Sequence, residues 1–121
     1  MVPECLAHAA DLNKALSDAE DLRDSLLSMP AELRLDTEIS FMEGQIEDLK
    51  LQLSALEEET EKIYQLLRER DNRAYLCVLL HFKTGLKWEE VAEYIGSNEM
   101  SAKQTAYRYL AKIAKEGLIE S

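Results

Sequence analysis

Residues 39–67 read ISFMEGQIEDLKLQLSALEEETEKIYQLL, and this stretch has the clearest periodic pattern in the chain. Its apolar residues alternate spacings of three and four, with Thr60 as the one polar exception. A repeat of about 3.5 residues predicts a helix of roughly 40 Å whose apolar seam requires a partner helix. The seam residues, which we also expect to support dimerisation, are Ile39, Met42, Ile46, Leu49, Leu53, Leu56, Ile63 and Leu67.

Two partners could cover this seam. Residues 4–28 also read as a helix, and Pro30 places a turn around residues 28–31. The apolar stripe of that first helix consists of Leu12, Ala15, Ala19, Leu22, Leu26 and Met29. The first helix could fold back as an antiparallel hairpin, or a second copy of the chain could pair with the seam. The two arrangements combine in a four-helix dimer, whereas the plainest alternative is the core stripe of an ordinary bundle. We favour dimerisation, because a chain of 121 residues has little else to cover so long a seam.

The chain changes character after residue 70. Asp71 or Asn72 can cap a new helix, and residues 74–82 are apolar nearly all round, which predicts a buried helix. Residues 88–95 form a short amphipathic pattern that ends at Gly96. We place a turn at residues 97–100 and start the last helix at Ser101, which stands three residues before Gln104 in a capping-box pattern.

This order of elements is typical of a helix-turn-helix, in which a short helix locks a recognition helix onto a core. The last helix has a buried stripe and, opposite to it, a basic face suited to phosphates and base edges. The candidate DNA-binding residues are Ser101, Lys103, Gln104, Tyr107, Arg108, Lys112 and Lys115. The structural alternative is a solvated basic face that complements acidic residues of the same molecule.

Residues 68–115 resemble region 4 of sigma-70 factors and the related phage-type regulators of the ArpU and RinA group. The resemblance rests on residues 73–80, on the stretch GLKWEEVAEYIG at residues 85–96 and on YRYLAKI at residues 107–113. It implies sequence-specific binding of duplex DNA and regulation of transcription. By position it assigns base or phosphate contacts to Lys103, Gln104, Tyr107 and Arg108.

The charge is divided unevenly along the chain. The net charge is −10, yet residues 1–67 hold 5 basic and 16 acidic residues, whereas residues 100–115 hold four basic residues and no acid. The acidic part supports a rival function: a protein-binding regulator or inhibitor that uses an acidic hairpin, with a helix-turn-helix that does not bind DNA. RNA polymerase is one candidate partner for that hairpin.

Other kinds of site receive little support. Cys5–His8 and Cys77–His81 have spacings that put each pair on one helix face, so four ligands could hold zinc, but small core cysteines with incidental histidines are the plainer interpretation. No enzyme motif occurs, so we expect no catalytic residue, no cofactor and no metal. No apolar stretch approaches a membrane span and no signal peptide opens the chain, so we expect no membrane partner and a location in the bacterial cytoplasm or nucleoid.

The sequence thus predicts an all-α protein in two parts. Residues 1–70 would form an acidic helical hairpin that dimerises as a coiled coil. Residues 71–121 would form a helix-turn-helix domain that binds double-stranded DNA. The predicted function is that of a dimeric transcription regulator of phage or prophage type.

Overall fold

The computed structural model describes residues 2–119, and the architecture is all-α, as predicted. Its five helices are α1 (Glu4–Leu27), α2 (Asp36–Arg70), α3 (Asn72–Val78), α4 (Trp88–Ile95) and α5 (Glu99–Lys115). A 3₁₀ turn at Ala31–Leu33 lies between α1 and α2, and α3 runs on as a π-helical segment, Leu79–Lys83. Within residues 2–119, no helix combines the length and the apolar composition that crossing a membrane requires.

The first two helices form the predicted hairpin within a single chain. The α2 seam faces α1, and a small distal core joins Ala19 of α1 to Met42 and Ile46 of α2. All eight seam residues lie in this arrangement: five are buried, and Leu49, Leu53 and Leu56 are half-buried. The fold-back helix is therefore the partner that covers the seam in this chain.

The buried face of α1 differs from the predicted stripe. Leu12 and Ala19 are buried and Leu26 is half-buried, but Ala15, Leu22 and Met29 are exposed. Leu16 packs against the distal core instead, and Arg23 is half-buried. Helix neighbours lie three or four residues apart. From Leu12, the covered side of α1 begins with a step of four to Leu16, whereas the expected stripe began with a step of three to Ala15. The expected stripe was therefore wrong at three positions.

A single residue separates the long helix from the C-terminal unit. Asp71 adopts an extended conformation, with φ −160° and ψ 111°, and its side chain accepts a hydrogen bond from the Arg73 backbone N–H at 3.1 Å. The predicted cap is confirmed, and the chain changes direction where α2 ends.

The main core crosses this helix boundary. Leu6 of α1 and Leu67 of α2 belong to the same buried cluster as Val78, Val91 and Leu110 of the three C-terminal helices. The hairpin therefore supplies part of the apolar surface on which the C-terminal helices pack.

Candidate nucleic-acid interface

The turn between α4 and α5 is shorter than the sequence suggested. Gly96 is in the left-handed conformation, with φ 70°, which glycine adopts without steric cost. The Ser97 N–H donates to the Ala92 carbonyl at 2.8 Å and closes the end of α4. The next helix begins at Glu99, because the Asn98 side chain accepts from the Ser101 N–H at 2.8 Å and caps it. The expected start at Ser101 was therefore wrong, and the connection is three residues long, as in a helix-turn-helix.

Helix α5 has one buried side and one open side, as predicted. Ala102, Ala106, Leu110 and Ile113 are all fully buried. Opposite to them, five of the seven candidate DNA-binding side chains are exposed, namely Lys103, Gln104, Arg108, Lys112 and Lys115. Ser101 and Tyr107 are half-buried. We call the exposed side, defined by those five residues, the basic face.

Two cations of the basic face share one aromatic neighbour. The guanidinium carbon of Arg108 lies 5.4 Å from the ring centroid of Tyr109, and Nζ of Lys112 lies 5.6 Å from the same centroid. Both distances are within the range of cation–π attraction. The ring therefore favours side-chain positions that keep the two cations close together.

The acid that follows α5 is neutralised by the long helix. Arg70 Nη2 lies 2.6 Å from Oε2 of Glu116, which joins the C-terminal end of α2 to that of α5. Both side chains are partly exposed, so we assign the pair little stability. Its electrostatic consequence is larger, since it offsets a carboxylate next to the lysines of the last turn.

An aromatic cluster beneath the helix-turn-helix holds α4 against α5. The His81 ring stacks on Trp88 with centroids 4.0 Å apart and an interplanar angle of 15°. Trp88 in turn meets Tyr107 edge-on at 5.7 Å. Tyr107 therefore packs against α4, which supports a positioning role as well as the contact role that the sequence suggested.

The His81 side chain occupies a fixed position in this cluster. Its Nδ1–H donates to the Leu86 carbonyl at 2.8 Å. Burial lowers the pKa of His81 from the ordinary 6.5; the bond to Leu86 opposes this effect, and the positive charge of Lys103 adds to it. The basic face thus acts electrostatically on the cluster below it.

A stability–pH prediction follows for His81. The pKa of His81 is lower in the folded state than in the unfolded state. As the pH falls below the ordinary histidine pKa of 6.5, the unfolded chain therefore binds more protons than the folded chain does. His81 therefore contributes stability above about pH 6.5, and this contribution is lost as the pH falls through that value toward the lower, folded pKa. We expect His81→Gln to reduce the fall in melting temperature between about pH 7.5 and about pH 5.5. His8→Gln, on the exposed surface, is the matched control; an equal flattening in that variant would contradict the assignment.

Two residues near the basic face escaped the sequence interpretation. Met100 is 69 % exposed and Tyr94 is 74 % exposed, at the two sides of the α4–α5 turn. Met100 lies one helical turn before Gln104, so it extends the basic face toward the start of α5. The sequence does contain a sign of this position. Asparagine is a favoured helix cap, and a cap at Asn98 places Met100 inside α5 rather than in the turn.

The two cysteine–histidine pairs do not converge. Cys77 is buried in the main core, and burial raises the pKa of its thiol. Cys5 is half-buried beside Glu59. Burial is the main cause that raises the pKa of the Cys5 thiol, and the Glu59 carboxylate raises it further. No group of three or more potential metal ligands occurs in the part of the chain from residue 2 to residue 119.

Comparison with known proteins found no matching family model, no similar curated protein and no similar solved structure.

Proposed function

We propose that this chain is a sequence-specific DNA-binding regulator of transcription, of phage or prophage type, that acts as a dimer in the bacterial cytoplasm or nucleoid. The observation that carries the proposal is the basic face of α5, which opposes a fully buried stripe and follows a three-residue turn. A helix anchored in this way can enter the major groove with its outer side chains toward the bases. The resemblance to region 4 of sigma-70 factors agrees with this role.

The basic face divides naturally into two kinds of contact. Arg108 can donate two hydrogen bonds to guanine, and Gln104 can donate one hydrogen bond to adenine and accept another from it. Lys112 and Lys115 are point charges suited to phosphates. Because α5 begins at Glu99, Gln104 lies nearer the end of the helix that enters the groove, whereas Lys115 is in its last turn. Base contacts are therefore expected from Gln104 and Arg108, in the first and middle parts of α5, and backbone contacts from Lys112 and Lys115 toward its end.

The direct test is fluorescence anisotropy with a labelled mixed-sequence duplex at low and moderate salt. We expect salt-sensitive binding by the wild type and at least about a tenfold loss of affinity for Arg108→Ala/Lys112→Ala, because two phosphate or base contacts disappear. Lys14→Ala/Lys50→Ala removes two exposed cations from the hairpin and should retain nearly wild-type binding. Equal losses in the two double variants, or no binding at low salt, would contradict the assignment of α5.

The second candidate is a protein-binding regulator or inhibitor. Its support is the acidic surface of the hairpin. Within residues 2–119, the ion pairs are Arg23–Asp24 and Arg70–Glu116. Most acidic side chains of the hairpin in this part of the chain therefore have no cation in salt-bridge contact. Such a surface suits a basic protein partner, and RNA polymerase is a candidate. Pull-down of a protein partner with the full chain distinguishes the two candidate functions. Protein binding by the acidic hairpin would survive Arg108→Ala/Lys112→Ala, whereas DNA binding by α5 would not.

A further inference from the structure

Met100 stands at the start of a row that the two candidate base-reading residues continue. Met100, Gln104 and Arg108 are spaced by four residues along α5, and all three are exposed. Residues four apart lie on the same side of a helix, about 6 Å apart along its axis. We call these three residues the reading row. A duplex seated against Gln104 and Arg108 therefore reaches Met100 as well.

The Met100 side chain does not serve the fold of the helix-turn-helix. Asn98 caps α5 by accepting from the Ser101 N–H, so the first turn is closed without Met100. In the part of the chain that the structure describes, Met100 belongs to neither apolar cluster and packs against neither. A single exposed apolar residue carries no information by itself. Here the information comes from its place in the reading row, at the helix end whose residues contact base edges in a helix-turn-helix.

The chemistry of Met100 limits what it can contact on a duplex. Its thioether has no hydrogen to donate and accepts only weakly, so it does not bind a phosphate. The base edges of the major groove display hydrogen-bond donors, acceptors and one apolar group, which is the C5-methyl group of thymine. Contact between that methyl group and the methionine side chain removes apolar surface of both from water, which is favourable.

We propose that Met100 reads the methyl group of a thymine in the DNA site, as a specificity-determining residue of α5. The inference rests on the proposed DNA-binding function and adds one base identity to it. Neighbouring base pairs are about 3.4 Å apart, so the step of about 6 Å from Gln104 corresponds to about two base pairs. The thymine therefore lies about two base pairs from the base that Gln104 contacts, on the side away from the base that Arg108 contacts.

Replacement of thymine by uracil tests this contact, because deoxyuridine lacks only the C5-methyl group. Sites preferred by the wild-type full chain are first selected from a random duplex library. Each thymine of the selected site is then replaced in turn by deoxyuridine, and the affinity is measured by fluorescence anisotropy. At one position we expect about a fourfold loss of wild-type affinity, the factor that uncovering one methyl-sized group gives. At that position Met100→Ala should bind the thymine and uracil duplexes equally.

Two variants control for general effects of the substitution. Met100→Leu keeps an apolar side chain of similar volume and should retain the preference for thymine over uracil at that position. Tyr94→Ala truncates the other large exposed side chain beside the α4–α5 turn, and it should retain the wild-type preference in full. Circular dichroism checks that all three variants keep the wild-type helix content.

The outcomes separate this proposal from the DNA-binding proposal. A wild-type chain without salt-sensitive binding or without a preferred sequence would overturn the proposed function, and this inference with it. A wild-type chain that selects a site, but one that lacks thymine or tolerates uracil at every thymine, would overturn the Met100 contact alone. The contact is also overturned if Met100→Ala keeps the wild-type loss at that position, because another residue then covers the methyl group.

Discussion

The substitution Ala92→Glu is expected to unfold the C-terminal unit. Ala92 is 3 % exposed in α4 and belongs to the main core with Ala102 and Ala106 of α5. A glutamate there would bury a carboxylate where the described residues supply no buried polar or charged side chain to pair with it. We expect a loss of more than about 4 kcal/mol, a large part of the roughly 5–15 kcal/mol that stabilises a typical domain.

The measurement is the melting temperature followed by far-ultraviolet circular dichroism. The matched control is Tyr94→Glu, which introduces the same carboxylate two residues away in α4 at a position that is 74 % exposed. That variant should remain within about 0.5 kcal/mol of the wild type. An unchanged melting temperature for Ala92→Glu would show that α4 does not pack on α5 as described.

The parts of the fold that the sequence predicted well are those with a single apolar face. In α5, the spacing of Ala102, Ala106, Leu110 and Ile113 leaves one way to bury the helix, and all four are buried. Trp88, Val91 and Ala92 are likewise buried, on the inner side of the amphipathic pattern at residues 88–95. Local periodicity suffices when the apolar residues define one face and polar residues fill the rest.

The first helix shows where periodicity fails. Ala15 and Leu16 are neighbours and both apolar, so a step of three and a step of four from Leu12 are equally consistent with a stripe. Further along α1, Arg23 is half-buried while Leu22 is exposed. Which side is buried depends on where α2 lies, and α2 is remote in the sequence. The sequence of α1 alone therefore does not determine which of its sides is buried.

The start of α5 shows a second limit, one of competing local signals. Asn98 and Ser101 are both good capping residues, three positions apart. The tight end of α4, closed by the Ser97–Ala92 hydrogen bond, allows the next helix to begin at once, so Asn98 forms the cap. The exposed positions of Lys103, Gln104, Arg108, Lys112 and Lys115 follow from the register of the buried stripe, so they are the same whether α5 begins at Glu99 or at Ser101.

The substitution Leu6→Ala is expected to destabilise the helix-turn-helix although Leu6 lies in the first helix of the chain. Leu6 is fully buried in the core that also contains Leu67, Val78 and Val91, so truncation removes apolar contacts and leaves a cavity. A loss of about 3 kcal/mol in the free energy of unfolding is expected.

Trp88, the single tryptophan, reports on the C-terminal helices by fluorescence, while circular dichroism reports on all helices. Because the core is shared, both signals should shift to lower temperature together. The control is Leu27→Ala, at a leucine that is 42 % exposed. With either signal, its free energy of unfolding should stay within about 0.5 kcal/mol of the wild type. A shift in circular dichroism without a shift in tryptophan fluorescence would mean that the hairpin and the helix-turn-helix unfold independently.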